Sequence, residues 1–224
     1  MQIGLIGGIG PAATDFYYRN LITRFASEDA DLDMTIVHAD APTLVKNLMD
    51  DNKDAQVAIY LRLTQRLKNA GAECVAITSI AGHFCIEKFR EKSLLPVVDL
   101  LSCVQVEVEN KNYKKIGILG TKPVMESKFY SAIQSAEMVL PEGDLLEGVH
   151  NAYVEMATSG HASEDQKLVF EAACNQFITR HNVDAVMLGG TDLALVYDAS
   201  NVDFTLVDCA AVHVEELFRL HSKY

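Results

Sequence analysis

The 224-residue sequence has no tryptophan, only five prolines and few basic residues. Lysine and arginine number 19 against 31 aspartates and glutamates, which gives a formal net charge of −12. Nucleic-acid binding requires a basic surface, so this charge balance argues against a nucleic-acid partner. No apolar run approaches the roughly 20 residues that cross a membrane. No basic segment precedes an apolar core at the amino terminus, so neither a membrane partner nor a signal peptide is expected.

Cysteine is also sparse and irregularly spaced. The five cysteines form no Cys-x-x-Cys pair, and no cluster of residues has metal-ligand spacing. This pattern argues against a disulfide framework and against a zinc site. We therefore expect reduced thiols in a cytoplasmic protein without a bound metal.

Short apolar runs that end in glycine are what the sequence does contain. The run Ala185–Leu188 passes into Gly189 and Gly190, and Thr191 and Asp192 follow. A short apolar run bounded by a turn predicts a strand that is buried on both faces of a parallel sheet. Open α/β sheets place their ligands at the carboxyl ends of such strands.

The first half of the chain carries the same pattern, displaced by about 110 residues. The matching segments are Ile3–Gly7 with Ile116–Gly120, Glu73–Ser79 with Asp184–Gly190, and Val97–Asp99 with Leu206–Asp208. Strands that alternate with helices in this way predict parallel α/β units. We therefore predict an α/β fold of two pseudo-symmetric, doubly wound parallel-sheet domains, with the site in the cleft between them. The predicted domains are residues 1–98 with 209–224, and residues 99–208.

Three local expectations follow from turn and capping signals. The stretch Asp40–Asn52, which contains Pro42, is predicted as a loop at the end of a strand. A helix is predicted near Pro123–Ala136. The Ser163 and Gln166 pair predicts a capping box that opens the last part of a helical stretch over 143–181.

The glycine-rich turn after the first strand has two interpretations. Gly8-x-Gly10-x-x-Ala13 fits a dinucleotide fingerprint, but Pro11 interrupts the motif and only Asp40 is near the position of the expected acid. We favour an anion-binding turn, in which backbone N–H groups of Gly8, Ile9 and Gly10 hold a carboxylate at a helix start. A tight turn without a ligand is the alternative.

Four motifs resemble the aspartate/glutamate racemase family in order and spacing, over essentially the whole chain. They are IGLIGGIGP at 3–11, ILGTKPVMESKFY at 118–130, LGGTDL at 188–193 and VDCAAVH at 207–213. The family has two pseudo-symmetric α/β domains, and its members remove and return the α-proton of an amino acid without pyridoxal phosphate. The resemblance implies an isomerase of amino-acid metabolism that needs no cofactor. It also implies a small carboxylate or acidic amino acid as ligand, and a homodimer.

Both catalytic cysteines of that family are replaced in this chain. The family's Cys-Asn-Thr-x-His turn is matched by Ser79 to His83, where serine stands for cysteine and the histidine is kept. Its Gly-Cys-Thr-Glu turn is matched by Gly189 to Asp192, where Gly190 stands for cysteine. A serine hydroxyl needs an adjacent base to act, and glycine has no proton-transfer group. On this resemblance we predict Ser79, His83 and Asp192 as catalytic residues.

The predicted substrate-binding residues come from the same turns and from the family motifs. They are Gly8, Ile9, Gly10, Lys46, Thr121, Ser127, Gly190, Thr191 and His213. Lys46 is assigned to a distal carboxylate of the substrate, with a solvated surface lysine as the alternative. His83 and His213 are each either proton-transfer groups or hydrogen-bonded structural histidines. Cys85 and Cys209 lie near the turns in sequence, and buried structural cysteine is the default interpretation for both.

Three functions therefore stay open. The first is an amino-acid racemase that uses altered proton-transfer groups, and the second is a lyase or decarboxylase on the same scaffold with a single acid or base. The third is a catalytically inactive homologue that binds a small carboxylate. Loss of both thiols predicts little racemisation of aspartate or glutamate, since each positioned acid or base contributes ~10² to 10⁴ in rate. Cysteines installed at 79 and 190 together are expected to raise activity.

Overall fold

The computed structural model describes residues 1–197 and 202–222. The chain forms two compact units. Unit 1 comprises Met1–Leu100 together with the chain from His213 onward, and unit 2 comprises Leu101–Val212. Within the described residues, no helix is both long and apolar enough to cross a membrane.

The elements of both units alternate between strand and helix for most of the chain. Those of residues 1–99 are β1 (Ile3–Gly7), α1 (Pro11–Ala26), β2 (Met34–His38), α2 (Ala41–Met49), α3 (Lys53–Asn69), β3 (Cys74–Ile77), α4 (Ile86–Lys92) and β4 (Val97–Val98). Those that follow are α5 (Leu100–Lys111), β5 (Lys115–Gly120), α6 (Lys122–Glu126), β6 (Glu137–Val139), α7 (Asp144–Ser159), α8 (Glu164–Gln176), β7 (Ala185–Gly189), β8 (Leu206–Asp208) and α9 (Cys209–His221).

Each unit contains one four-stranded sheet in which the described strand pairs are parallel. The strand orders are β2-β1-β3-β4 in unit 1 and β6-β5-β7-β8 in unit 2, so the two sheets have equivalent topology. Ile3 lies opposite Cys74 in the first sheet, and Ile116 lies opposite Ala185 in the second. The central strands β1, β3 and β7 are buried along their whole length, as their uninterrupted apolar sequences require. The predicted fold class is confirmed.

Helix α1 and the end of α9 together close the core of unit 1. Phe25 of α1 is 1% exposed, and its ring packs edge-on against Phe218 at 5.1 Å between centroids. Arg24 donates from Nε to Glu215 at 2.7 Å, and its guanidinium lies 3.8 Å from the centroid of the Phe218 ring. The chain from His213 onward thus completes the core that β1 and α1 begin.

The predicted loop over 40–52 is wrong, because most of it forms α2. Asp40 accepts a hydrogen bond from the Thr43 N–H at 2.9 Å, and Pro42 lies in the first turn, where its missing N–H has no cost. Leu44 and Asn47 face the interior. An Asp-x-Pro sequence is a helix start as well as a loop signal, and the buried positions decide between them. The capping box of Ser163 and Gln166 is confirmed.

The helix predicted near 123–136 is present but shorter, because α6 ends at Glu126. Four successive residues then adopt left-handed backbone conformations, with φ values of 52°, 60°, 54° and 57° for Lys128, Phe129, Tyr130 and Ser131. The Phe129 side chain is 0% exposed, so its burial holds these residues against the core of unit 2. We call residues 128–131 the left-handed turn. The short strand β6 follows it, and the sequence analysis did not predict that strand.

Candidate functional site

The predicted site residues lie mainly at the carboxyl ends of strands. In unit 1, Gly8 to Gly10 follow β1 and Ser79 to His83 follow β3. In unit 2, Thr121 follows β5, and Gly190 to Asp192 follow β7. Lys46 lies instead on α2 and is exposed, so its role in binding a distal carboxylate stays a prediction.

The turn after β1 is closed by contacts with its own unit. Gly8 has a φ of 91°, and its N–H donates to Thr14 Oγ1 at 2.8 Å. The Thr14 hydroxyl in turn donates to the Gly10 carbonyl at 3.0 Å. The Gly8 N–H thus has a hydrogen-bond acceptor within its own unit, and its predicted role in binding a carboxylate stays a prediction. The roles of Ile9 and Gly10 stay predictions.

His38, which the sequence analysis did not single out, lies against the same turn. A Cβ on Gly8 would stand 2.1 Å from His38 Nδ1, so only glycine leaves room for the imidazole. His38 ends β2 and is exposed. A histidine that ends a strand beside a glycine turn was the signal that could have identified it.

Ser79 is held in place from both sides of its turn. The Gly82 N–H donates to Ser79 Oγ at 3.3 Å, and the Tyr60 hydroxyl donates to the Gly82 carbonyl at 3.1 Å. His83 Nδ1 lies 2.6 Å from the Ser79 carbonyl oxygen. A carbonyl only accepts, so Nδ1 carries the hydrogen and donates it. His83 therefore positions the Ser79 peptide and does not contact its hydroxyl as a base would.

The other nitrogen of His83 faces a carboxylate. Nε2 lies 3.9 Å from Asp99 Oδ1, and Asp99 Oδ2 accepts from Arg90 at 3.2 Å. Nε2 has no hydrogen-bond partner among the described residues, and the His83 side chain is 0% exposed. Burial lowers the pKa of His83, and the Asp99 carboxylate and the Ser79 carbonyl oppose that shift. The predicted catalytic role of His83 stays a prediction, while the positioning contact with Ser79 is observed.

His213 occupies both of its ring nitrogens. Nε2 donates to the Val98 carbonyl at 2.9 Å, which leaves Nδ1 to accept from the Tyr17 hydroxyl at 2.7 Å. The residue is 0% exposed, and burial lowers its pKa to about 3, helped by the neighbouring His83. Both ring nitrogens are thus engaged within unit 1, and the predicted substrate-binding role stays a prediction. His213 joins α9 to α1 and to the end of β4.

In unit 2, two predicted hydroxyls differ in their availability. Thr121 Oγ1 is buried and has no hydrogen-bond partner within the described part of the chain, so it can serve a ligand. The Ser127 hydroxyl instead accepts from the Tyr130 N–H at 3.0 Å and donates to the Val124 carbonyl at 3.1 Å. Ser127 thus stabilises the left-handed turn, and its substrate-binding role stays a prediction.

Tyr153 of α7 fills the space beside the turn after β7. A Cβ on Gly190 would lie 2.2 Å from Tyr153 Cε2 and 2.8 Å from its hydroxyl oxygen. The Tyr153 hydroxyl donates to Asp192 Oδ2 at 3.0 Å. Burial and the Asp192 carboxylate both raise the pKa of Tyr153 well above its usual value, so the phenol keeps its proton. Sequence analysis did not identify Tyr153.

Two other residues of α7 contact Lys122, in the turn that follows β5. His150 Nδ1 accepts from the Lys122 N–H at 3.2 Å, and Glu147 pairs with Lys122 Nζ at 2.9 Å. Glu147, His150 and Tyr153 are spaced three apart, which puts them along one face of the helix. We call this the 147/150/153 face. Its polar periodicity was the signal that could have identified α7 as part of the site.

The sequence model of the Asp/Glu/hydantoin racemase family matches residues 6–217. The chain belongs to this family. An aspartate racemase homologue from Pyrococcus horikoshii OT3 is similar in structure, with a TM-score of 0.83 and 23% identity over 99% of both chains. Picrophilus torridus aspartate racemase gives a TM-score of 0.76 at 16% identity, over 99% of this chain and 94% of that one.

A glutamate racemase from Francisella tularensis, solved in complex with D-glutamate, gives a TM-score of 0.68 at 17% identity. The alignment covers 99% of this chain and 81% of that one. At these identities the three structures establish a shared fold. The resemblance drawn from the four sequence motifs is confirmed by the family match.

Four of the five thiols of this racemase-family protein, those of Cys74, Cys85, Cys174 and Cys209, are poor proton-transfer groups. Burial raises the pKa of Cys85 to about 12 and that of Cys174 to about 11. Cys209 is also shifted well above its usual range by burial and by the adjacent Asp208, and burial raises the pKa of Cys74. Only the thiolate form abstracts protons effectively. The interpretation of Cys85 and Cys209 as buried cysteines is consistent with their 3% and 0% exposures.

Proposed function

We propose that this protein is a cofactor-independent isomerase-like member of the racemase family that binds a small acidic amino acid or a related carboxylate. The observation that carries the proposal is the family match over residues 6–217. It is supported by a hydroxyl, Ser79, at the end of β3, where the motif resemblance implies a cysteine in the family. The choice of an acidic amino acid is supported by a structural relative solved with D-glutamate. We further propose a cytoplasmic homodimer, on family resemblance.

Thr121 and Thr191 are the hydroxyls of unit 2 that we assign to the ligand. Each follows a strand, and Thr121 Oγ1 has no hydrogen-bond partner among the described residues. Asp192 is 4% exposed and is assigned to the ligand's ammonium group, because a buried carboxylate favours a cationic partner. Hydroxyls that donate to a carboxylate and a carboxylate that accepts from an ammonium together suit an amino acid.

A second candidate function is favoured by the lack of a proton-transfer group at position 190. Gly190 offers no such group, and His83 contacts Ser79 through its peptide carbonyl rather than its hydroxyl. Inversion at a carbon requires that a proton leave one face and that another arrive at the opposite face. A lyase or decarboxylase with one acid or base, or a protein that binds the carboxylate without reaction, does not need that pair.

Thermal unfolding with a panel of ligands tests the proposed binding. L- and D-aspartate, L- and D-glutamate and succinate are expected to raise Tm, since a ligand that binds only the folded state stabilises it by about 2.7 kcal/mol at 100 times its Kd. L-Lysine, of opposite side-chain charge, is the control ligand. Thr191→Val should weaken the shift and Thr158→Val, on the exposed side of α7, should leave it unchanged. A panel without any shift would count against the proposal.

Cα–H exchange in heavy water then separates the candidate functions. We expect little or no racemisation of aspartate or glutamate. Deuterium incorporation with retention of configuration indicates a single working base, and its absence together with a Tm shift indicates binding without reaction. Racemisation of free aspartate at rates typical of enzymes would contradict our account of Ser79 and Gly190.

A further inference from the structure

The backbone conformation at position 190 does not require glycine, but a neighbouring side chain does. The φ and ψ of Gly190 are −144° and 124°, an extended conformation that any residue adopts. The three nearest atoms to an added Cβ all belong to the Tyr153 side chain, namely Cε2, Cζ and the hydroxyl oxygen at 2.2, 2.5 and 2.8 Å. Contacts below 3.0 Å require a shift of one partner. Glycine is therefore required at this position by a neighbouring side chain.

The glycines beside it differ in this respect. A Cβ on Gly189 would stand 2.6 Å from the Leu119 carbonyl oxygen, and one on Gly120 would stand 2.6 Å from the Gly189 carbonyl oxygen. Those two glycines allow β5 and β7 to approach each other. Because the close contacts of an added Cβ would be with backbone oxygens, no side-chain substitution elsewhere would remove the clash. At Gly190, in contrast, the clash is with a side chain, so a second substitution at Tyr153 can make room for a Cβ.

The Tyr153 ring is fixed in this position. It is 8% exposed, it lies in the middle of α7, and its hydroxyl donates to Asp192 at 3.0 Å. A tyrosine side chain has only two rotatable angles before its hydroxyl, so a hydrogen bond at the ring's far end fixes its orientation. Moving the ring away from residue 190 would leave the buried Asp192 carboxylate without this donor, which is costly.

We propose that Tyr153 determines which residue the turn after β7 can hold at position 190, because its ring fills the volume that a side chain at that position would need. Positions 153 and 190 are then a coupled pair, and the turn holds either the phenol or a side chain such as a cysteine, but not both. The packing claim stands on unit 2 alone. Its catalytic consequence, a turn without a thiol on that side of the substrate, rests on the proposed function.

This inference changes the design of the cysteine-replacement experiment. In the Ser79→Cys and Gly190→Cys pair that was predicted from the sequence, the new Cβ at position 190 would lie 2.2 Å from Tyr153 Cε2, where it overlaps the ring. Restoring a proton-transfer thiol at 190 therefore requires a third substitution, Tyr153→Ala.

The packing claim is tested by thermal unfolding of Gly190→Ala, Tyr153→Ala and the double variant. Gly190→Ala alone should lower Tm by roughly 3 to 10 °C, as expected for overpacking in a protein of this size. In the Tyr153→Ala background the same substitution should cause little further loss, whereas in Tyr153→Phe, which keeps the ring, the loss should persist. Gly148→Ala, on the same helix as Tyr153, is the matched control, since its Cβ would make an ordinary 3.6 Å contact with Val169 of α8.

Racemisation of L-aspartate tests the catalytic consequence. The triple variant Ser79→Cys/Tyr153→Ala/Gly190→Cys should racemise at least roughly tenfold faster than Ser79→Cys/Gly190→Cys, given the usual contribution of a positioned proton-transfer group. Equal rates in the two variants, including no reaction in either, would overturn the inference that the Tyr153 ring prevents a working thiol at position 190. Full stability of Gly190→Ala in the wild-type background, or a loss that Tyr153→Ala does not relieve, would overturn the pairing itself. A wild-type protein that no acidic amino acid stabilises would instead count against the proposed function.

Discussion

The His213 ring donates from Nε2 to Val98 and accepts at Nδ1 from Tyr17, so its neutral form has every ring nitrogen occupied. A proton added at Nδ1 would break the Tyr17 bond and place a charge where no solvent reaches. The lowered pKa of about 3 expresses that penalty. At the scale of single residues, stability thus depends on keeping this imidazole neutral.

Acid should destabilise the protein through His213. Its pKa is about 3 when folded against an ordinary value of 6.5, so the unfolded chain binds the proton first as pH falls. The stabilisation is complete above pH 6.5 and is lost progressively down to pH 3, with a slope of up to about 1.4 kcal/mol per pH unit. His213→Gln should flatten the dependence of the unfolding free energy on pH between 6 and 4. Exposed His161→Gln is the control, and equal slopes in wild type and His213→Gln would contradict the prediction.

Strand-end residues could be predicted from the sequence, but their partners could not. Ser79, Thr121 and Asp192 follow apolar runs that end in a turn, and this local signal places them at the carboxyl edge of a sheet. Tyr153 is 39 residues from Asp192, and Val98 is 115 residues from His213. Contacts across such separations depend on helix packing, which the pattern of a single segment does not contain. For that reason the contacts of His213 with Tyr17 and Val98 were not predicted from the sequence.

Among the elements, the left-handed turn is the least expected from sequence. None of Lys128, Phe129, Tyr130 and Ser131 is a glycine, yet all four have positive φ. Left-handed backbone costs a non-glycine residue roughly 1–2 kcal/mol. Burial of Phe129 and hydrogen bonds to Ser127, from the Tyr130 and Ser131 N–H groups, offset that cost.

Glycine at position 128 should stabilise the protein. Lys128 is exposed and has a φ of 52°, so Lys128→Gly relieves backbone strain without loss of packing. Lys128→Ala removes the same side chain but keeps the strained Cβ. We expect Lys128→Gly to be about 1 kcal/mol more stable than Lys128→Ala in urea unfolding. Equal stabilities would show that the turn is not strained at this residue.

Element prediction succeeded where burial is uniform and failed where signals compete. The central strands β1, β3, β5 and β7 were predicted because apolar runs without polar interruption have few other solutions. Helix α2 was missed because the signal at Pro42 is shared by loops and helix starts. The helix over 123–136 was overpredicted, since helical periodicity does not reveal the left-handed backbone that begins at Lys128.

For the whole molecule, each unit has its own sheet, and the chain leaves unit 1 near Leu100 and returns to it at His213. Leu217 of α9 is 0% exposed, and Glu215 and Phe218 contact Arg24 of α1. Unit 2 is continuous in sequence, whereas unit 1 is assembled from two segments.

A cavity in α9 should therefore destabilise unit 1 selectively. Leu217→Ala removes a fully buried side chain, which costs about 2–5 kcal/mol. In hydrogen exchange followed by mass spectrometry, amides of β1 and β3 should lose protection more than those of β5 and β7. Leu168→Ala, at a site that is 61% exposed on α8, is the control and should change neither. An equal loss in both sheets would show that the units do not unfold separately.

The two-segment construction of unit 1 has a consequence for synthesis on the ribosome. Its first hundred residues emerge early, but Phe25 and Tyr17 lack their partners Phe218 and His213 until all of unit 2 has been translated. Unit 2, in contrast, becomes complete as one uninterrupted segment. The first segment is therefore synthesised with part of its apolar surface exposed, and it stays exposed until α9 has been translated. Such exposed apolar surface is what chaperones bind.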